Sequence, residues 1–476
     1  MKLKTALWGN DKPGRAVTLG LQHVFAMFGS TVLVPALTGL DPAVTLLCMG
    51  IGTLIFHLVT GGMVPAFMGS SFSFIVPICA VAAHCKNNGI DNFASYVGIG
   101  IMASGVLYLI LAGMVKLFGA KRITNFFPPI VTGCMIIIIG MMLAPTAMSS
   151  VQTPIVTETE SVSNVEVVKT STPGWIEKDG ETVDVTIATE MESAEEVTII
   201  KSTIPMWKNW TVAIFTVAVI LIVMFFARGF IKLVPILIGI VAGYILSLAL
   251  GMVDTTPVTS AAIFELPKVS LPEFKNWSTI TYAITMIAPI SIVTFVEHVG
   301  DITANGAVTG KNYIEDPGLH RTLAGCGMAS IFSGCMGGPA ATTYSENTGV
   351  LAATKNYNPA TLRIAAVFAI ILSLFGTVSG VLSTIPAPVM GGVSIILFGM
   401  IASVGLRMLV ENQVDFTRSY NLVIAAVMLV IGLGLPNGIS FGSFNISGTA
   451  IAAVLGVALA KILPQKDAEE REAAKQ

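Results

Sequence analysis

Two stretches of this chain put carboxylates where water is scarce. One is Thr342-Thr343-Tyr344-Ser345-Glu346-Asn347-Thr348-Gly349-Val350-Leu351-Ala352-Ala353-Thr354-Lys355, with an acid and an amide side by side at the foot of a short apolar helix. The other is Phe295-Val296-Glu297-His298-Val299-Gly300-Asp301, at the end of a longer apolar run. An ionisable side chain within a bilayer costs at least about 2.5 kcal/mol, so its default meaning is a substrate or proton site. Glu297 and Asp301 are four residues apart and share a helix face. Two nearby carboxylates in a poorly hydrated site do not both ionise readily, so one of them is expected to carry a proton. His298 reads equally as a proton relay or a packing histidine, and Asp301 also fits a solvated place at the cytoplasmic mouth.

The elements that hold these acids belong to a membrane protein. The 476 residues are 54% hydrophobic and 11% charged, with mean hydropathy +0.80. Soluble domains carry about 25% charged residues. A net charge of −2 with no basic stripe argues against a nucleic-acid partner. The six cysteines show neither metal spacing nor a disulfide framework and read as small packed thiols, and neither metal nor cofactor is expected. The N-terminus to Arg15 is short and basic. The apolar run after it lacks a small-residue cleavage site, so it reads as a first membrane helix.

Runs of spanning length start at Ala16 and Ala43 and recur at about 95–115, 125–147, 209–227, 232–252, 278–299, 361–383, 390–409, 419–435 and 447–465. A polar loop is expected at 302–321, with a shorter run following to about 336. Two further runs are half-length, each preceded by a short extended strand: Phe74 to Ala83, entered through Gly69-Ser70-Ser71, and about 346–354, entered through Gly337 to Ser345. Ten helical residues cover only about 15 Å of the roughly 30 Å hydrocarbon core. Broken helices survive there only where protein or a cavity satisfies the backbone. The count is fourteen segments, with the third of each half interrupted. Paired interruptions of this kind point to a transporter site, and seven segments per half make the repeat inverted.

Residues 151–205 differ. They hold eleven acids and alternating segments such as Thr182-Val183-Asp184-Val185-Thr186-Ile187, which read equally as a hairpin of short strands or as an acidic loop. With the N-terminus inside, nineteen of the twenty-six basic residues fall on the cytoplasmic side. The other seven are Lys86, Lys169, Lys178, Lys201, Lys208, Lys268 and Lys275. The insert is thereby placed outside and both chain ends inside.

The first N–H groups of a half-helix lack intrahelical partners and carry partial positive charge. Helices starting near Phe74 and Glu346 would aim these ends at one another, with Glu346 able to accept from ring N–H groups. Phe72 and Tyr344 offer flat faces. These features suit a small heteroaromatic solute. By type alone, Phe72 and Tyr344 fit packing, while Ser70, Ser71, Thr342 and Thr343 could simply satisfy backbone. Glu346 could likewise be a structural partner of His23.

Glu346-Asn347-Thr348-Gly349-Val350-Leu351-Ala352-Ala353-Thr354-Lys355 fits the motif [Q/E/P]-N-x-G-x4-T-[R/K/G] of the nucleobase–ascorbate transporters (nucleobase–cation symporter-2), and the chain resembles that family. Gln22-His23 matches its paired Gln-His. Gly69-Ser70-Ser71-Phe72, Glu297-His298-Val299-Gly300 and Asp316-Pro317-Gly318-Leu319-His320-Arg321 resemble its bacterial uracil permeases. The similarity covers nearly all of the chain outside 151–205.

The resemblance implies an all-α polytopic protein with fourteen transmembrane segments as a 7+7 inverted repeat. Its core domain would comprise residues 1–120 (helices 1–4) and 278–385 (helices 8–11). The gate would comprise 121–150 (helix 5), 206–277 (helices 6–7 and an exposed loop) and 386–465 (helices 12–14). The extracellular insert 151–205 and the cytoplasmic tail 466–476 complete the chain. It further implies a homodimer in the cytoplasmic membrane importing uracil with a proton by an elevator movement. Glu297, Glu346, Phe72, Tyr344, Ser71 and Ser345 would bind substrate, the two serines through backbone near the ring. Glu297, Asp301 and His298 are the proton-coupling candidates, and His23, Ser70 and Asn347 would form a supporting network. Uracil-type members can carry histidine where this chain has Asp301, and an acid there is common in the purine branch. A xanthine or mixed uracil/xanthine range is therefore the second reading. A channel or anion exchanger of the same architecture ranks lower: the first needs no buried acids, and the second calls for a cation at the helix ends. Five dispersed histidines without metal spacing give no support to a membrane enzyme.

Overall fold

The computed structural model describes residues 13–464 apart from 125, 179–180, 437 and 442–443. The start of the basic N-terminus and the tail 466–476 lie outside the described residues. The chain forms two compact units, Gln152–Thr211 and the remainder.

The larger unit is built of helices. In order they are α1 (Pro13–Thr38), α2 (Pro42–Val59), α3 (Ile75–Asn87), α4 (Phe93–Phe118) and α5 (Pro129–Met142, continuing as Ala144–Gln152). After the insert come α6 (Met206–Phe226), α7 (Pro235–Ala249), α8 (Trp277–Ile287), α9 (Ile290–Thr309) and α10 (Leu319–Cys335). The last are α11 (Ser345–Thr354), α12 (Pro359–Ser373), α13 (Gly376–Ser383), α14 (Ala387–Glu411), α15 (Ser419–Gly434) and α16 (Gly448–Ile462). Among the described residues seven spans are long and apolar enough to cross a membrane, eight if the bent pair α12–α13 is one span. Four shorter apolar helices, including Phe72–Asn87, accompany them.

Local chemistry sets several helix starts. Asp41 accepts from the Ala43 and Val44 N–H groups at 2.7 and 3.0 Å, and Pro42 stands at a position that needs no donor. Asn358 with Pro359 repeats the device at α12. Ser447 caps α16 through the Ala450 N–H.

Three expectations are corrected. The helix carrying Glu297 does not end near residue 301 but runs to Thr309 and stops at left-handed Gly310, φ 70°. Its buried face continues through Ile302, Asn305 and Gly306, and the Asn305 amide donates to the Pro65 carbonyl at 2.8 Å. The run 361–383 is two helices bent by 83° at Leu374–Phe375. There the Glu265 N–H donates to the Leu374 carbonyl, and Phe264 packs on Phe375 with ring centres 4.9 Å apart. Finally, the insert unit holds not short strands but two long ones. β2 (Val156–Lys178) and β3 (Glu181–Thr203) pair antiparallel from Val156 opposite Thr203 to Lys178 opposite Glu181.

Glycines at seven-residue spacing close the seam between α4 and α10. A Cβ at Gly105 would lie 2.6 Å from the Gly327 carbonyl oxygen, and one at Gly334 would lie 2.5 Å from that of Gly98. Small residues let helix backbones approach this closely in a membrane protein. Gly334→Val forces the pair apart at a cost of about 1–3 kcal/mol, the usual range for overpacking. The expected result is a lower melting temperature and yield, and a parent-like melt would show that the seam does not hold the fold.

Candidate functional site

The two half-helices meet through a pair of three-residue strands. β1 (Met68–Ser70) lies antiparallel to β4 (Ala341–Thr343), with Met68 opposite Thr343 and Ser70 opposite Ala341. The Ser71 N–H donates to the Ala340 carbonyl and the Tyr344 N–H to that of Phe67, each at 3.1 Å. β1 continues through the turn Phe72–Phe74 into α3, and β4 through Tyr344 into α11. The two helices therefore start at opposite ends of one short crossing. Neither N-cap residue, Ser71 or Tyr344, caps with its side chain; the Phe74 and Ile75 N–H groups bond back to the Ser71 and Phe72 carbonyls, and the Glu346 carboxylate meets its own N–H.

Gly69 makes the crossing possible. Tyr344 lies directly over it, where a Cβ would occupy the tyrosine ring. The Tyr344 hydroxyl donates to the Ser70 carbonyl at 2.8 Å and lies 3.2 Å from the Ser70 hydroxyl. Tyr344 is buried. Phe72, from the other strand, is partly exposed and stands edge-on to Phe398 of α14, ring centres 6.3 Å apart. Phe72 and Ser73 line a small cleft with Ile139, Leu143, Ser447 and Thr449.

Around this crossing the structure gathers the acids. Glu297 on α9 accepts from the Ser73 hydroxyl at 3.4 Å, and Glu346 in the first turn of α11 is near enough to act on it electrostatically. Both are partly buried. Asp301, one turn beyond Glu297, accepts from the Thr343 hydroxyl at 2.9 Å. His298 is buried, with Nδ1 3.2 Å from the Thr343 hydroxyl and Nε2 2.9 Å from that of Thr322 on α10. Two buried contacts clasp α9 to α4: Tyr108 donates to Thr294, and Ser104 meets Ser291, both at 2.6 Å.

The His23 imidazole pairs with Asn347 rather than with Glu346, Nδ1 to Oδ1 at 3.3 Å. An amide oxygen only accepts, so Nδ1 carries the proton. His23 Nε2, Asn347 Nδ2, Ser71 Oγ and Gln22 Oε1 are buried without a hydrogen-bond partner among the described residues. Unpaired buried polar atoms are costly and ask for water or a ligand. Ser345 begins α11, and its side chain lies outside the described residues. Nothing in the sequence singles out Ser73 or Thr322. Ser73 carries no mark beside the serines before it, and Thr322 sits in a Gly-rich helix with no acid nearby. By type and position alone Thr343 reads only as a backbone-satisfying residue.

The arrangement can hold a planar solute by its hydrogen-bonding edge: carboxylates for ring N–H groups, helix-start N–H groups for ring carbonyls, and aromatic faces at the side. Among the described residues no cluster of His, Cys, Asp and Glu could hold a metal ion.

The Permease family model (Xan_ur_permease) matches residues 14–173 and 185–441. The uracil permease of Bacillus caldolyticus is 40% identical over 457 residues, 95% of this chain and 94% of that one. That of Bacillus subtilis (strain 168) is 38% identical over 464 residues, covering 97% and 95%. Among solved structures, the transmembrane domain of a cyanobacterial bicarbonate transporter, BicA, superposes with a TM-score of 0.57. It is 14% identical, over 94% of this chain and 96% of that one, a likeness of fold alone.

Proposed function

Because this chain belongs to the Permease family, which makes it a multi-pass membrane transporter and not an enzyme, we propose that it imports uracil together with a proton. The observation that carries the reading is the β1–β4 crossing, which sets Glu297 and Glu346 beside the uncapped starts of α3 and α11. Uracil presents two N–H donors and two carbonyl acceptors on one planar ring, the complement of those groups. Relatives named as uracil permeases at 38–40% identity support the same substrate. Glu297 and Glu346 hold the base, Phe72 and Tyr344 bound it, and backbone groups near Ser71 and Ser345 contact the ring. His23, Ser70 and Asn347 brace the crossing from behind. Glu297, Asp301 and His298 couple the proton.

In this reading the shorter helices count as spans, giving fourteen in a 7+7 inverted repeat. A core of helices 1–4 and 8–11 carries the crossing past a gate of helices 5–7 and 12–14 as an elevator. The working unit is a homodimer in the cytoplasmic membrane, with both termini inside and the insert outside. The fold likeness to an anion carrier does not transfer its cargo: two carboxylates at the helix starts oppose an anion. Xanthine, or a mixed range, is the second reading, favoured by the acid at Asp301. In proteoliposomes, labelled uracil is expected to accumulate under an imposed inward proton gradient, to collapse with an uncoupler and to ignore excess xanthine. Uptake indifferent to the gradient would overturn the symport, and strong xanthine competition would move the substrate to the purine side.

A further inference from the structure

Four residues on three elements form one hydrogen-bonded line: Asp301, Thr343, His298, Thr322. The distances are 2.9 Å from Thr343 to Asp301, 3.2 Å from Thr343 to His298 Nδ1 and 2.9 Å from His298 Nε2 to Thr322. The Thr322 hydroxyl also reaches the Leu319 carbonyl at 3.0 Å. Each hydroxyl has one proton to give, and a neutral imidazole donates from one nitrogen and accepts at the other. The line therefore has two complete arrangements.

With Asp301 ionised, it can only accept. Thr343 must then donate to it, His298 donates to Thr343 from Nδ1, and Thr322 donates to His298 Nε2. With Asp301 protonated, the carboxyl donates to Thr343 and Thr343 donates to His298 Nδ1. His298 then donates from Nε2 to Thr322, which turns its proton to the Leu319 carbonyl. The two arrangements differ by one proton, added at Asp301, and by the imidazole tautomer: the Nδ1–H bond is broken and an Nε2–H bond formed. No hydrogen bond of the line is lost in either.

We propose that Thr343 is a positioning residue through which protonation of Asp301 sets the tautomer of His298. The inference rests on the proton-coupled reading above and deepens it. Thr343 is the last residue of β4, two positions before α11 begins, so the same hydroxyl that senses Asp301 helps fix the entry of the helix bearing Glu346. Among the titratable groups that act on Asp301 from packed elements are Cys326 of α10 and Tyr108 of α4. The Cys326 thiol also lies 3.5 Å from His298 Nδ1. Burial of His298 keeps bulk water from supplying alternative partners.

The test is ¹⁵N NMR of histidine-labelled full-length protein across pH, with His298→Asn identifying the His298 signals. The parent and Thr343→Ser are expected to pass from Nδ1-protonated to Nε2-protonated as pH falls through the range where uracil uptake changes. Thr343→Val, of nearly the same shape but without the hydroxyl, is expected to hold one tautomer throughout and to flatten the pH profile of uptake at least fivefold. A parent that keeps one tautomer at both pH extremes, or a Thr343→Val protein that switches like the parent, overturns the proposal. Should Thr343→Val fail to fold, Asp301→Asn removes the titrating carboxyl at the start of the line and is expected to hold one tautomer throughout. A parent-like switch in that variant would also overturn it. The tautomer is read without substrate, so a protein that switches but binds no uracil defeats the transport reading and leaves the relay standing.

Discussion

Glu346→Gln is expected to reduce uracil binding and uptake by about 10- to 150-fold while leaving the protein folded. The range corresponds to about 1.5–3 kcal/mol for hydrogen bonds to a charged group. Glutamine keeps the size of the side chain and its place in the first turn of α11. It removes a charge whose burial is itself costly, so the melting temperature is expected to hold. It also presents an amide that can turn a donor toward ring N–H groups, which adds mismatch to the lost charge. Loss of binding with an unchanged melt places Glu346 against the substrate. Retained binding would return Glu346 to a structural role.

Gly69→Ala is expected to be nearly as damaging, by a different route. The new methyl group would fall within the Tyr344 ring, whose hydroxyl is tied to the Ser70 carbonyl at 2.8 Å. The ring cannot leave without breaking that bond or pulling β4 from β1, and both strands lead directly into the half-helices. An overpacking cost of about 1–3 kcal/mol corresponds to a loss of roughly 5- to 150-fold if it falls on the bound state. Gly349→Ala is the control. Gly349 lies on α11 itself with open space beside it, and alanine favours helix over glycine by about 1 kcal/mol. That substitution is expected to be tolerated, and equal damage from both would show that the crossing is not the sensitive element.

Much of this was legible in the sequence because the bilayer restricts what a residue can mean. Long charge-free runs have to be helices there, and a ten-residue run flanked by Gly and Ser cannot span, so the half-helices and their extended entries are legible in the sequence. The same reasoning singles out Glu297 and Glu346 as acids in apolar runs, and the structure sets them near enough to act on one another. It fell short where tertiary partners decide. Continuous apolarity across 361–383 gave no hint of the bend at Leu374–Phe375, which depends on a hydrogen bond from Glu265 over a hundred residues away. The polar residues after Asp301 suggested a loop, yet Asn305 is buried and bonded to Pro65, a pairing that one-dimensional pattern cannot show. The pairing of Glu297 with Asp301 came from helix spacing. The structure adds the cross-element partners, Ser73 and Glu346 for the first and Thr343 for the second. His23 likewise meets Asn347, its neighbour in space across 324 residues of sequence.

Equilibrium binding of labelled uracil to the purified protein, with xanthine and 3-methyluracil as competitors, tests the central claim most directly, since it requires neither a gradient nor a transport cycle. Saturable binding that unlabelled uracil displaces, and that xanthine and the N-methylated ring do not, is the predicted result, because a base held by two carboxylates needs both ring N–H groups and 3-methyluracil keeps only one. Absence of saturable uracil binding, or displacement by 3-methyluracil as effective as by uracil itself, would contradict a base held between Glu297 and Glu346.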